Sequence, residues 1–379
     1  MLQGLQETAK SLERRGITFI LQHISPEKGV ITIANDASLV VVDRGYLRVQ
    51  RHWRQETAQH LRCPLIQVET DVVVPIETVS KKEEYAAATI RPKIHQHLKT
   101  FLVPLVSEPL QRTCLKQHFD SLDLSKVSQI IADLPVDHTV KPSSIYQGGT
   151  SHALRFLRRF IQQKLPLFSE LRNDPSKEYS SVMSPYLHFG QISPLTIALK
   201  IQATKDSNTG AYLEELIVRR ELSMNYVYYN SSYDSFDGLP SWAKATLLRH
   251  AKDKRQYHYT RDDLERAQTH DPFWNAAQNE MILTGKMQGY MRMYWGKKIL
   301  EWTRTPQEAY QNALYLNNKY EVDGRDPNGY TGVAWCFGKH DRAWQWQERP
   351  IFGKVRYMNE AGLRRKFDMD DYVKKYGTS

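Results

Sequence analysis

The stretch Gly285–Trp302, GKMQGYMRMYWGKKILEW, constrains the fold more than any other part of this 379-residue chain. Apart from Gly285, Gly289 and Gly296, its residues strongly favour helix. Met287, Tyr290, Met291, Met293, Tyr294, Trp295, Ile299, Leu300 and Trp302 go almost all round that helix and leave no clean polar face. A helix apolar on every side belongs inside a large core. Arg292 sits in its middle, and a buried guanidinium needs a carboxylate or a ligand. Trp295 and Trp302 are two turns apart, so their indoles share a face. Taken alone, the segment reads as core packing with an arginine tied to a neighbouring carboxylate.

The length allows such a core, as one large domain with a smaller one beside it. Hydrophobic residues at 41% and charged ones at 25% place the chain among soluble globular proteins. Lys plus Arg number 52 against 42 for Asp plus Glu, a net +10 that favours a polyanionic partner such as nucleic acid. Cys63, Cys114 and Cys336 are too widely spaced for a zinc pattern or a disulfide framework, so no metal and a reducing intracellular compartment are expected. There is no run of about 18 apolar residues, so no membrane span is expected. The N-terminus has no signal-peptide core.

Hydrophobic patterning divides the chain. Residues 2–14 suit an amphipathic helix, then Ile17–Leu21, Leu39–Asp43, Pro64–Val68 and Val72–Val74 suit buried strands, with a polar helix running to about Leu61. Alternating helices and strands imply a parallel α/β sheet over residues 1–75. Residues 76–145 form a connector with short helices, including a candidate at Glu83–Lys99 interrupted by Pro92. From 146 to 379 the pattern is almost wholly helical. The span Asn317–Trp335, with turn chemistry at Asp323-Gly324 and Asn328-Gly329, reads as a long loop running into a buried stretch.

Three segments carry chemistry. Ser180, Ser181 and Ser184 precede Pro185 in a hydroxyl-rich loop suited to a phosphate near a helix start. Glu214–Leu222, EELIVRREL, places Glu215 and Arg219 on one helix side in apolar surroundings, where burial raises a carboxyl pKa. The basic stretch from Lys339 to Lys375 carries ten Lys/Arg against six Asp/Glu, enough to hold phosphates in a salt-dependent way.

The segments EYAAATIRPKI (Glu84–Ile94), SPYLHFGQISP (Ser184–Pro194), EELIVRREL, GKMQGYMRMYWGKKILEW, VDGRDPNGY (Val322–Tyr330), HDRAW (His340–Trp344) and GKVRYM (Gly353–Met358) occur in this order. In them the chain resembles the class II cyclobutane pyrimidine dimer photolyases of the photolyase/cryptochrome superfamily. The resemblance implies an N-terminal α/β antenna-type domain, a connector and an all-helical FAD domain. It implies light-driven splitting of pyrimidine dimers in UV-damaged double-stranded DNA by an electron from reduced FAD. It also implies a set of site residues. Ser180, Ser181, Met183 and Ser184 resemble the flavin phosphate loop, with Phe168 where relatives often carry tyrosine. Arg292, Asp323 and Asp326 resemble groups around the isoalloxazine and ribityl chain, and Asn317 the asparagine facing flavin N5. Glu215, Met293, Trp335, Arg172 and Asn173 resemble the lesion-contacting set. Trp295, Trp274 and Trp302 match an electron-transfer chain, and Arg342, Trp344 and Arg356 the residues bracing DNA around the extruded lesion. The chain starts about one βαβ unit late relative to the family pattern, which leaves an antenna chromophore unassigned. A monomer is expected. The alternatives are a cryptochrome-like photoreceptor without repair, a lesion-binding remnant, and 6-4 photoproduct repair, which is expected to need a histidine in the lesion pocket.

Overall fold

The computed structural model describes every residue except 116–118, 345, 347, 378 and 379. A small parallel sheet with adjoining helices leans on a large helical body, the α/β plus all-α class expected from the sequence. Strand β1 (Val40–Asp43) pairs in parallel with β2 (Leu65–Val68), Val40 opposite Leu65. The polar helix Arg48–His60 makes the crossover. Helix Pro26–Ile33, which hydrophobic patterning missed, packs against it.

Two expected strands are absent among the described residues. Ile17–Leu21 runs instead beside the connector, tied by Cys114 N–H to the Gly16 carbonyl at 3.0 Å and Leu122 N–H to the Leu21 carbonyl at 2.8 Å. Val72–Val74 is irregular because its backbone donors go elsewhere: Val73 N–H donates to Glu221 Oε1 at 2.6 Å and Val74 N–H to the same oxygen at 3.4 Å. Nor does Pro92 interrupt its helix, which runs unbroken from Ala87 to Phe101. Pro92 and Ala88, whose carbonyl it leaves free, both face solvent, so water takes the missing donor's place.

The expected loop Asn317–Trp335 is also mostly helix. Helix Pro306–Tyr320 extends into it, and helix Pro327–Cys336 begins where the Asp326 carboxylate accepts Asn328 N–H at 2.8 Å, with Pro327 in the first turn. Helix Pro272–Thr284 ends at Gly285, whose φ of +77° is left-handed, and a Cβ there would meet Val322 Cγ2 at 2.3 Å. The chain then restarts as helix Gly289–Trp302.

Two apolar cores organise the whole. One packs Trp274, Tyr294, Trp295, Trp302 and Tyr310 with Tyr46, Val72 and Ile76. The other packs Phe160, Phe168, Tyr212 and Leu216 with Val73, Val74 and Ile94. Residues 46–79 are thus shared between both. Among residues 1–45, by contrast, only Gly4, Gly29 and Ala34 are buried.

Helices Gly289–Trp302 and Pro327–Cys336 cross at Gly296, where a Cβ would lie 2.5 Å from Cys336 Sγ and 2.8 Å from Cys336 Cβ. The Cys336 Cβ is fixed to its backbone and cannot swing away. Gly296→Ala is expected to lower the unfolding free energy by about 1–3 kcal/mol. Unchanged stability in urea would mean that the helices can part freely.

Glu221 joins the two layers from a fully buried position. Burial pushes its carboxyl up to about 8, despite the Val73 and Val74 N–H groups and the neighbouring Arg220, and Glu69 adds to the rise. The native state therefore keeps a proton that the unfolded chain has released. Stability falls as pH rises from about 4.5 to 8, at a limiting slope of about 1.4 kcal/mol per pH unit. Glu221→Gln, which keeps the acceptor oxygen, should flatten urea midpoints across that window. An unaltered slope would assign the dependence to other carboxyls, such as Glu280, pushed up to about 7 by burial.

Candidate cofactor and lesion site

Arg292 is half-buried on a helix that is otherwise sealed from Tyr294 to Leu300. Its Nη2 donates to Glu321 Oε1 at 2.6 Å. Lys286 reaches the same carboxylate at 3.1 Å and Asp323 at 2.9 Å, so two cations and two anions share the cluster. Against a burial penalty, Lys286 and Arg292 hold Asp323 well below the usual carboxylate range, with help from the Ser184 hydroxyl. Burial pushes Glu321 the other way. Lys286 and Glu321 were not among the sequence candidates. The charge of Lys286, inside the GKMQGY segment, was the available signal.

The bond to Glu321 leaves part of the guanidinium unused. Arg292 Nε–H is buried without an acceptor among the described residues. Asn317 lies in the adjoining wall, with its Nδ2 donating to Asn318 Oδ1 at 3.2 Å. A Cβ on Gly329 would come 3.0 Å from that nitrogen, so the glycine keeps the amide free to turn. Asp326 is heavily engaged: one oxygen caps its helix and the other meets His188 Nδ1 at 3.0 Å.

The serine loop approaches the same cluster. Ser184 opens the short helix Ser184–His188, Met183 is buried, Ser181 is half-buried and Ser180 is exposed. Between them Val182 has φ +52°, a costly conformation for a β-branched residue and one that concentrates at functional loops.

A second wall faces outward. Arg172 Nη1 pairs with Glu215 Oε1 at 2.5 Å, and its guanidinium covers the Phe168 ring at 5.4 Å. Gln288, the cap of the Arg292 helix, donates to the Arg172 carbonyl at 2.9 Å and ties this wall to the charge cluster. Glu215 does not sit in the apolar wall expected from its neighbours. It lies in a π-helical turn, Glu214–Arg219, with 40% of its side chain exposed. The widened turn presents Glu214, Glu215 and Arg219 outward while Leu216, Ile217 and Val218 fill the core. Arg219 caps the Trp335 ring at 5.6 Å, and His340 meets that indole edge-on at 5.8 Å. Met293 Sδ lies 3.9 Å from Cys336 Sγ, one residue along from Trp335. Asn173 is exposed beside Arg172.

A tryptophan column starts at Trp295, three residues on from Arg292 along the same helix. Trp295 and Trp274 stack at 6.4 Å with planes 5° apart, and Trp274 meets Trp302 at 5.6 Å. Trp274 comes from helix Pro272–Thr284 and fills the gap between the other two. Its Nε1 donates to the Trp295 carbonyl at 3.0 Å, while Trp295 Nε1 donates to Gln278 Oε1 at 2.8 Å.

The DNA photolyase family profile matches residues 1–113. Over 98% of this chain and 82% of the relative, the sequence is 54% identical to a deoxyribodipyrimidine photo-lyase of Methanothermobacter thermautotrophicus. The chain belongs to the DNA photolyase family. A deoxyribodipyrimidine photo-lyase of Potorous tridactylus is 41% identical over 99% of this chain and 71% of its own length. Among solved structures, a cryptochrome of Synechocystis superposes with a TM-score of 0.76 at 17% identity, covering 99% of this chain and 76% of that one. A bacterial class III photolyase of Agrobacterium tumefaciens gives 0.70 at 19%, with the same two coverages. At those identities the two structures speak for the fold alone.

The remaining sequence candidates of this photolyase-family chain lie at its C-terminal rim. Trp344 stands 43% exposed, with the guanidinium groups of Arg356 at 4.6 Å and Arg342 at 5.2 Å from its ring. Its Nε1 donates to Asp341 Oδ1 at 2.7 Å. The fully exposed Trp346 nearby was not singled out from sequence. The residues around Arg292 suit the flavin that the family resemblance implies. The orphaned Nε–H offers a donor to an acceptor atom, and Arg292, Met293, Gly332 and Trp335 are half-open positions set among buried neighbours on their helices.

Proposed function

We propose that this chain is a light-driven lyase that splits cyclobutane pyrimidine dimers in UV-damaged double-stranded DNA, with FAD as its cofactor and class II as its subfamily. The observation that carries the reading is 54% identity, across nearly the whole chain, to a relative named for that chemistry. Residues 146–379 would form the cofactor domain, residues 1–75 the α/β layer and residues 76–145 the connector between them. The protein would work inside the cell as a monomer. No described helix is long and apolar enough to cross a membrane.

When bound, the flavin supplies the photoexcited electron; the protein supplies placement, charge and exclusion of water. Arg292 would supply a permanent positive charge and its buried Nε–H to hold the flavin, with Asp323, Asp326 and Asn317 as its further polar partners. Ser180, Ser181 and Ser184 would take the phosphates, while Met183 and Phe168 close the wall behind them. A dimer is already poorly stacked and paired, so extruding it costs less than extruding intact bases. Trp335 offers a flat face to the flipped pair, stiffened by Arg219. Met293 adds a polarisable contact. The Arg172–Glu215 pair, half open to solvent, presents donors and acceptors that can reorient toward the lesion's carbonyl and N–H groups. Asn173 lies next to it. Arg342, Trp344 and Arg356 would brace the strand left behind.

The test is repair itself. Reduced, flavin-loaded protein under blue or near-UV light should restore dimer-containing oligonucleotide. Flavin binding and a photocycle without restoration would favour a cryptochrome-like receptor. DNA binding without either would favour a lesion-binding remnant. Restoration of 6-4 photoproducts alone would also overturn the assignment.

Arg356→Ala is expected to weaken DNA binding at every sequence and to reduce the slope of log K against log salt by about 0.9, the contribution of one phosphate contact. Filter binding from 50 to 200 mM salt reads both quantities. An unchanged slope would remove Arg356 from the DNA face.

A further inference from the structure

A cavity of about 410 Å³, within the size range of small-molecule sites, lies at the C-terminal end of the Arg292 helix and shares no lining residue with the lesion wall. Trp302 forms part of its lining, with Tyr257, His270 and Tyr357 as further aromatic walls. Trp302 is only 2% exposed, so a molecule in bulk water cannot touch the end of the tryptophan column without entering. Tyr257 and His270 stack at 3.6 Å, and His270 meets Trp302 edge-on at 5.2 Å, which gives the cavity flat, rigid sides.

Its charges cancel internally. Lys298 pairs with Glu301 at 2.7 Å, and Arg364 with Glu360 and Asp370 at 3.1 Å each. An occupant therefore gains little from net charge and more from a flat, neutral ring with a polar edge. Gln256 and Asn359 supply amide groups for that edge. Lys298 Nζ stands 5.7 Å from both the Trp302 and the Tyr357 rings. A cation at that range disfavours positive charge on the indole and so favours return of an electron to it.

We infer that this cavity binds a neutral aromatic reductant of the phenol class, which refills Trp302 after the column has given up an electron. In that step one electron passes from the phenol to the electron-deficient Trp302. The phenol O–H bond breaks, its proton leaves to water at the rim, and a phenoxyl radical departs while the indole returns to neutral. The inference rests on the proposed photolyase function and on the electron-transfer role that the family resemblance implies for Trp295, Trp274 and Trp302.

The test uses flavin-loaded protein and 4-methoxyphenol. In the dark, saturation-transfer NMR should show saturable binding. Ala361→Trp and Gln256→Trp, two exposed positions lining the cavity, should each weaken it by about tenfold or more. Under light, photoreduction should rise hyperbolically with the phenol in the parent protein and only linearly in either filled variant, with repair by pre-reduced protein unchanged. A linear response in the parent, or filled variants that bind and respond like it, overturns the site. Equal saturation by ascorbate overturns the ligand class. Tyr259 meets Trp302 edge-on at 5.3 Å without lining the cavity, so loss of saturation in Tyr259→Phe alone, with dark binding intact, overturns direct transfer to Trp302 by placing the exit at that tyrosine. Dark binding that persists while Trp295→Phe still photoreduces would sink the electron-transfer reading and leave the cavity as a binding site.

Discussion

Trp295→Phe is expected to abolish light-driven reduction of the oxidised flavin while repair by chemically pre-reduced protein survives. Trp295 lies three residues from Arg292 on the same helix, closer along it than Trp302, and its plane lies 5° from that of Trp274. A phenyl ring is much harder to oxidise and cannot pass the hole outward. The structural cost is limited but real. The indole is 1% exposed, and its Nε1 satisfies Gln278 Oε1, which would be left buried and unpaired at about 1–3 kcal/mol. Flavin content and circular dichroism therefore accompany the two activity measurements. Loss of photoreduction alone supports the column, and loss of both activities makes Trp295 a structural residue. Retention of both would route electrons elsewhere.

Arg292→Leu should have the other large effect, on stability and cofactor retention together. The change removes the guanidinium from Glu321, which is itself buried. Breaking a buried pair typically costs about 3–5 kcal/mol, and Lys286, still 3.1 Å from Glu321, should hold the loss near the lower end at about 3 kcal/mol. The purified protein should emerge largely colourless, with an early urea midpoint. Arg292→Lys keeps the charge but not the planar fork, and is expected to recover stability more than flavin. A yellow, fully stable Arg292→Leu protein would remove that arginine from the cofactor site and return it to core packing.

Local chemistry was legible wherever a residue's partner lies nearby in sequence. The runs at Val40–Asp43 and Leu65–Val68 became strands because they find each other across one short helix. Val72–Val74 carries the same apolar signal, but its N–H groups go to Glu221, almost 150 positions on, and no window of residues displays that competitor. The Asp326-Pro327 pair is a good helix start, but Gly324 and Gly329 around it carry the stronger turn signal. Arg292 and its need for a carboxylate could be read from the sequence; which carboxylate could not. Glu215 misled through its apolar neighbours, since the π-helical turn rotates them inward and the acid outward. Spacing put Trp295 and Trp302 on one face, but only packing slides Trp274 between them.

The unequal burial of the first eighty residues bears on how this scaffold tolerates change at its amino end. Ahead of Tyr46 almost no side chain is buried and the ties are surface hydrogen bonds, whereas Tyr46, Val72, Val74 and Ile76 sit inside the cores of the helical body. Substitutions in the outer portion should cost surface contacts, such as Ser151 N–H on the Glu7 carboxylate, and not core packing. A truncation becomes fatal once it passes Tyr46, because the catalytic half would then lose part of its own floor.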